Sequence, residues 1–212
     1  MQRDGLTRLR AYWDKLRRGR LAPFRAELDP REFEDALEAM FILEHLGPNQ
    51  IRVRLAGLSL CEMMGMEVRG MPPEAFFAAE HRAAFSAHLD AALNGPNVVE
   101  LDLIATGNDG HPTPAHMLLL PLRSDFGEVT RILGCVSAPV QDIRAPVNFS
   151  IADVRHDHIR PSQGAEDQPV AGFAEAADEY LPGTPPQLRA VGGNPDAPAG
   201  ARRTGHLKLV RD

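Results

Sequence analysis

Apolar and charged residues alternate strictly through Ile51-Arg52-Val53-Arg54-Leu55. That period of two predicts a strand with one buried and one wet face. Just ahead, Met40-Phe41-Ile42-Leu43-Glu44-His45-Leu46 is a mostly apolar run stopped by Gly47-Pro48-Asn49. Two such runs around a Gly-Pro-Asn turn predict a hairpin. Three further strand patterns lie at 98–106, 115–123 and 129–138, separated by the hairpin-type turns Asn108-Asp109-Gly110 and Asp125-Phe126-Gly127.

A helical period governs the segments between and before them. Leu6, Leu9, Trp13 and Leu16 recur at three- and four-residue steps, with Tyr12 beside them and arginines opposite, so residues 6–20 read as an amphipathic helix ended by Gly19 and Pro23. Asp29-Pro30 predicts a helix start, because Asp can cap free N–H groups and Pro lacks the N–H that would be orphaned there. A short helix then runs over 30–39, and another over Ser59–Met64 closes at Gly65. Phe76, Phe77, Phe85, Leu89 and Leu93 mark the inward side of a longer helix over 73–94, which Asn94-Gly95-Pro96 terminates.

Two strands, helices, then three strands joined by short turns argue for antiparallel pairing rather than an alternating parallel fold. An isolated hairpin is barely stable, so the first pair should join the same sheet. The predicted class is α+β: a five-stranded antiparallel sheet with helices on one face, preceded by the N-terminal amphipathic helix. Residues 147–160, opening VNFSIADV, are one more extended segment. Strands 115–123 and 129–138 are apolar on both sides, with Met117, Leu119 and Leu133 expected to face away from the helices. The N-terminal helix would cover that outer face, within one chain or across a homodimer, and the expected partners are a second copy of the chain, a signalling protein or both.

Composition changes the picture mainly at the two ends. Residues 160–212 contain seven Pro and seven Gly, the composition of a disordered tail, interrupted by FAEAADEYL at 173–181 and GHLKLV at 205–210. Such apolar islands in disorder suit folding on a partner. The expected organisation is therefore a helix at 1–26, a globular domain at 27–159 and a tail at 160–212. The first 25 residues carry a net charge of +6 in a chain whose total is -6. That basic end could meet phosphates or pair with the acidic body. The apolar stripe leaves little room for a reading face, so nucleic acid is the alternative rather than the expected partner.

Cys61 and Cys135 are the two cysteines, both in apolar surroundings without CxxC spacing, which fits a reduced compartment. No apolar run reaches the roughly 18 residues of a spanning helix, and the N-terminus has no signal-peptide core, so a cytoplasmic location is expected.

The order of elements and a series of particular residues carry a family likeness. Trp13, Arg20-x-x-Pro23 with Arg25, Asp29-Pro30, Arg54-Leu55-Ala56-Gly57, the Gly65…Gly70 pair, Leu120-Pro121-Leu122 and Ile132-Leu133-Gly134 follow one another in order over about residues 8–155. In these the chain resembles a bacterial, mostly alphaproteobacterial, PAS family formerly catalogued as a domain of unknown function. The resemblance implies a sensory or protein-interaction module in signal transduction, usually a stand-alone domain, and it does not imply a reaction. Met66-Glu67-Val68-Arg69-Gly70 departs from the family's more usual Arg-Asp-Leu-Thr-Gly stretch. If that loop touches a ligand, specificity would differ.

A curved sheet with helices on one face leaves space between the layers, where apolar ligand sites form. The candidate lining is Phe41, Leu43, Val53, Leu55, Met63, Phe76, Phe77, Phe85, Leu101, Leu103, Leu118 and Leu120. The same residues would also simply fill a core.

The search for chemistry yields little. His81 and His88 share a helix face, but neither is expected to hold haem. Cys61, in Ser-Leu-Cys-Glu-Met-Met, lacks the Asn-Cys-Arg-Phe-Leu type motif of flavin photosensors, so flavin is not expected either. His156-x-His158 beside Asp157 has no third ligand fixed by pattern, and no metal is predicted. Walker, GxGxxG, nucleophile-elbow and kinase signatures are absent, and the chain is not expected to be an enzyme.

Overall fold

The structure is a computed structural model and describes residues 3–47, 50–139 and 144–162. Helix α1 (Arg3–Arg17) comes first. It stops where Arg18 and Gly19 turn to positive φ, 49° and 79°. Strands β1 (Met40–Gly47) and β2 (Gln50–Ala56) form the first hairpin. Helices α2 (Leu58–Met64) and α3 (Arg82–Asn94) follow. Strands β3 (Asn97–Thr106), β4 (Pro112–Arg123) and β5 (Val129–Ser137) form the meander.

The sheet has six strands, not five. The sixth, β6 (Asn148–His158), pairs antiparallel with β3 and completes the order β2-β1-β5-β4-β3-β6. Its outward side chains are mostly exposed, so the segment lacks the strong apolar alternation that identifies a strand. Backbone pairing along the β3 edge creates it instead.

Two predicted helices take other forms. Asp29 caps its segment as expected, its carboxylate accepting from the Arg31 N–H, but Pro30–Ala36 is a 3₁₀ stretch. The long helix predicted over 73–94 is broken into 3₁₀ turns at Pro73–Phe76 and Ala79–His81 before α3. The break is at Phe77, whose backbone is extended and bridges to Phe149. The Ala78 N–H donates to the Phe149 carbonyl, and the Phe77 ring stacks on Phe85 at 3.9 Å between centroids. β6 and an aromatic stack therefore override the helical period. Gly65 and Gly70, at φ of 69° and 79°, bracket the loop after α2, which returns to β2 through Gly70 N–H to Val53 O.

The sheet separates two apolar clusters. On the inner side, α2 and α3 bury Phe41, Leu43, Phe85, Leu101, Met117 and Leu119 among others. On the outer side lie Leu9 and Trp13 of α1 with Met40, Ile42, Leu118, Leu120, Leu122, Leu133 and Cys135. The N-terminal helix thus covers its own sheet. Leu133 faces outward as predicted, whereas Met117 and Leu119 face inward. The run Met117-Leu118-Leu119-Leu120 is apolar on every position, so it carries no parity signal. Parity comes from register, with Leu118 opposite Cys135 and Leu120 opposite Leu133.

Candidate functional site

The inner cluster holds most of the candidate lining, and the outer face is covered by α1. Of the candidate lining, Phe41, Leu43, Val53, Met63, Phe76, Phe77, Phe85, Leu101 and Leu103 lie in the inner cluster. Leu118 and Leu120 lie in the outer one, by the parity just described. Leu55 is exposed, at 40%. Leu43 pairs with Val53, but its neighbour Ile42 pairs with Leu55, so a bulge at Arg54 shifts Leu55 to the other face. The inner packing is close. A Cβ added to Gly134 would meet the Phe41 ring at 2.0 Å, so only glycine lets that ring lie across β5.

The outer face is built around α1. Its buried residues Leu9 and Trp13 insert against β4 and β5, and the indole N–H donates to the Pro121 carbonyl at 2.9 Å. Tyr12 lies 5.3 Å from the Phe33 ring between centroids, and its hydroxyl accepts from the Asp29 N–H at 2.8 Å. After the helix, Arg20 is buried. Its guanidinium donates to both carboxylate oxygens of Glu27, at 2.8 and 2.7 Å, and to the Leu16 and Arg17 carbonyls. Glu27 also accepts from the Phe24 N–H, so the turn that returns the chain to β4 is tied at both ends. The Arg123 N–H to Pro23 O bond continues it.

Beside the first half of α1 opens a cleft of about 320 Å³, lined by Leu6, Thr7, Arg10, Glu100, Asp102, His116 and Arg155 among others. Arg10 donates to Glu100 at 2.5 Å and to Asp157. Burial opposes its charge, but those two carboxylates outweigh burial and raise its pKa. Arg155 also reaches Glu100, at 2.9 Å. His116 Nδ1 lies 2.7 Å from Asp102 Oδ1. This polar group is assembled by strand parity, since Glu100 and Asp102 alternate with inward Leu101 and Leu103. Spacing by two in the sequence could have located it once the face was known.

The basic N-terminus pairs with the acidic body. Arg8 meets Asp35, Arg10 meets Glu100 and Asp157, and Arg20 meets Glu27. Cys61 is half-buried beside the inner cluster, and burial pushes the Cys135 thiol up to about 12. His88, on α3, meets His156, on β6, with Nδ1 and Nε2 3.0 Å apart. Burial, then the neighbouring ring, lowers the His88 pKa. His158 turns its Nδ1 to Asn97 Oδ1 at 3.3 Å, while His81 ends the turn before α3. Among the described residues, no group of three or more His, Cys, Asp or Glu could hold a metal, and no helix is long and apolar enough to cross a membrane.

One antiparallel sheet, lined inside by short helices and strapped outside by an N-terminal helix, defines a small α+β domain. A PAS domain family model matches residues 1–137, from α1 through β5, and the chain belongs to that family of sensory signalling modules. No curated protein matches it at a significant level. Solved structures with a similar fold include a LOV protein of Rhodobacter sphaeroides, 18% identical, covering 54% of this chain and 70% of that one at a TM-score of 0.40. A second is a light-oxygen-voltage domain studied with a flavin analogue, 17% identical, covering 51% and 82% at 0.41. A third is a PAS domain of Colwellia psychrerythraea, 12% identical, covering 52% and 97% at 0.39.

Proposed function

We propose that the chain is a binding and signalling module without chemistry of its own. The inner cluster receives the input, a small ligand or a contact on α2 and α3. Helix α1 is the output, and its displacement bares the outer face to a partner protein or a second copy of the chain. The observation that supports this is β4, buried on both sides. Met117 and Leu119 belong to the inner cluster, and Leu118, Leu120 and Leu122 pack in the outer cluster with α1. A close-packed strand shared by two cores cannot shift for one without shifting for the other. The fastening of α1 combines two buried anchors, Leu9 in its first half and Trp13 in its second, with ion pairs of partly exposed groups, which are worth little individually.

Sedimentation of the full chain as wild type and as Trp13→Ala tests the output half. The reading expects a 23.2 kDa monomer for wild type. It expects concentration-dependent association, or uptake of a hydrophobic dye, for the variant, because the bared face is apolar. A variant that stays monomeric and binds no dye contradicts it. The reading also takes the inner cluster to be filled by side chains rather than by a chromophore. A flavin or haem band in the absorption spectrum of the freshly purified protein would overturn that part.

A further inference from the structure

The geometry points to a divalent transition-metal site, for Zn²⁺, Ni²⁺ or Cu²⁺, between His88 of α3 and His156 of β6. The two rings come from different elements, 68 residues apart, and their Nδ1 and Nε2 atoms face each other at 3.0 Å. The rings are tilted by 56° with centroids 5.1 Å apart. Only one of the facing nitrogens can carry a proton in that contact, so the other presents its lone pair inward. When the donor ring carries its hydrogen on the far nitrogen instead, as its other tautomer does, two lone pairs converge on one point.

A tetrahedral ion with Zn–N distances of about 2.0–2.1 Å needs its nitrogens roughly 3.4 Å apart. The observed separation is within a small side-chain rotation of that value. Imidazole pairs select borderline ions such as Zn²⁺, Ni²⁺ and Cu²⁺ over Mg²⁺ or Ca²⁺, which prefer oxygen. His158 lies two residues along β6, on the same side of the strand as His156. Among the described residues no third side chain is in place. The remaining positions are therefore open to water, to His158 after rotation, or to a donor on a small ligand.

The position gives such an ion a consequence. β6 comes last in the strand order, pairing along its length with β3 and meeting Phe77 at Phe149 on its other side. His88 precedes Leu89, which is fully buried in the inner cluster. A bound ion would staple β6 to the helix that closes this core. The inference stands apart from the reading of α1 as output and does not depend on it.

The test is Zn²⁺ binding by the tag-free full chain after chelator treatment, followed by calorimetry, with Zn²⁺-dependent thermal stability read alongside. The expected result is saturable uptake of one ion. Affinity should fall by about tenfold or more in both His88→Ala and His156→Ala, with no change in His111→Ala. Wild type that takes up no Zn²⁺ overturns the proposal, as do variants that bind like wild type. Loss in His156→Ala with His88→Ala unaffected also overturns it, because the ion would then sit on the β6 histidines alone. If a variant fails to fold, imidazole ¹⁵N resonances of the wild type decide. Both His88 and His156 should move on Zn²⁺ addition, and unmoved signals refute the site.

Discussion

The indole N–H of Trp13 donates to the Pro121 carbonyl across 2.9 Å, joining α1 to the strand whose other side closes the inner core. Both residues belong to the pattern by which the sequence resembles its family. Trp13 is the only tryptophan of the chain and is fully buried. Its emission therefore reports whether α1 is docked.

Trp13→Ala removes that packing and should cost about 3–5 kcal/mol, the range for deleting a buried aromatic side chain. Trp13→Phe keeps most of the ring but leaves the Pro121 carbonyl without its donor, at a cost of about 1–3 kcal/mol. Urea unfolding monitored by circular dichroism measures both. Equal stabilities of Trp13→Phe and wild type would show that the hydrogen bond contributes nothing.

Arg20 and Glu27 form a largely buried pair in which Arg20 Nη2 donates to both carboxylate oxygens, with side chains 7% and 13% exposed. Arg20→Ala strands the Glu27 carboxylate and should destabilise the chain by about 3–5 kcal/mol. Arg20→Lys should recover only part of this, because an ammonium cannot reproduce the planar fork that also reaches the Leu16 and Arg17 carbonyls. Full recovery by lysine would mean that charge alone matters here.

Cys135 makes a prediction about alkaline pH. Burial raises its pKa from 9.0 to about 12, so the folded state holds the thiol proton more tightly than the unfolded chain. The associated stability is complete below about pH 9 and is lost as pH rises towards and through 12. Tyr12, raised chiefly by burial, acts in the same direction. Stability measured against pH should fall across this range, and Cys135→Ala should flatten part of the slope. In native protein near neutral pH, a thiol reagent should label half-buried Cys61 and spare Cys135. Rapid labelling of both would contradict the burial of β5.

How far the sequence speaks depends on whether a local pattern or a long-range pairing decides each element. Trp13, Leu9 and the arginines around them announce an amphipathic helix by themselves, and Asp29-Pro30 announces the cap of the segment that begins at Pro30. Gly134 reads as an ordinary strand residue. Its necessity appears only when the Phe41 ring is placed over it. Leu55 sits in the clearest alternation of the chain yet is turned outward by a bulge, a feature of pairing with β1 that β2 alone does not encode. The side on which Leu118 and Leu119 fall was illegible because both faces of β4 are buried. β6 was only an extended segment until β3 offered it an edge. The polar groups share this origin. His116 with Asp102, and His88 with His156, are each distant in sequence and meet only through strand register or helix placement.

Coupling across β4 is the central claim, and hydrogen exchange of Leu119→Ala tests it most directly. Leu119 packs only in the inner cluster, so the substitution opens a cavity on the side away from α1. The account predicts faster amide exchange in the second half of α1, around Trp13, with a matching change in its emission, in a protein that is otherwise folded. If exchange rises in α3 and β4 while α1 keeps its wild-type protection, the two cores are independent and the account is wrong.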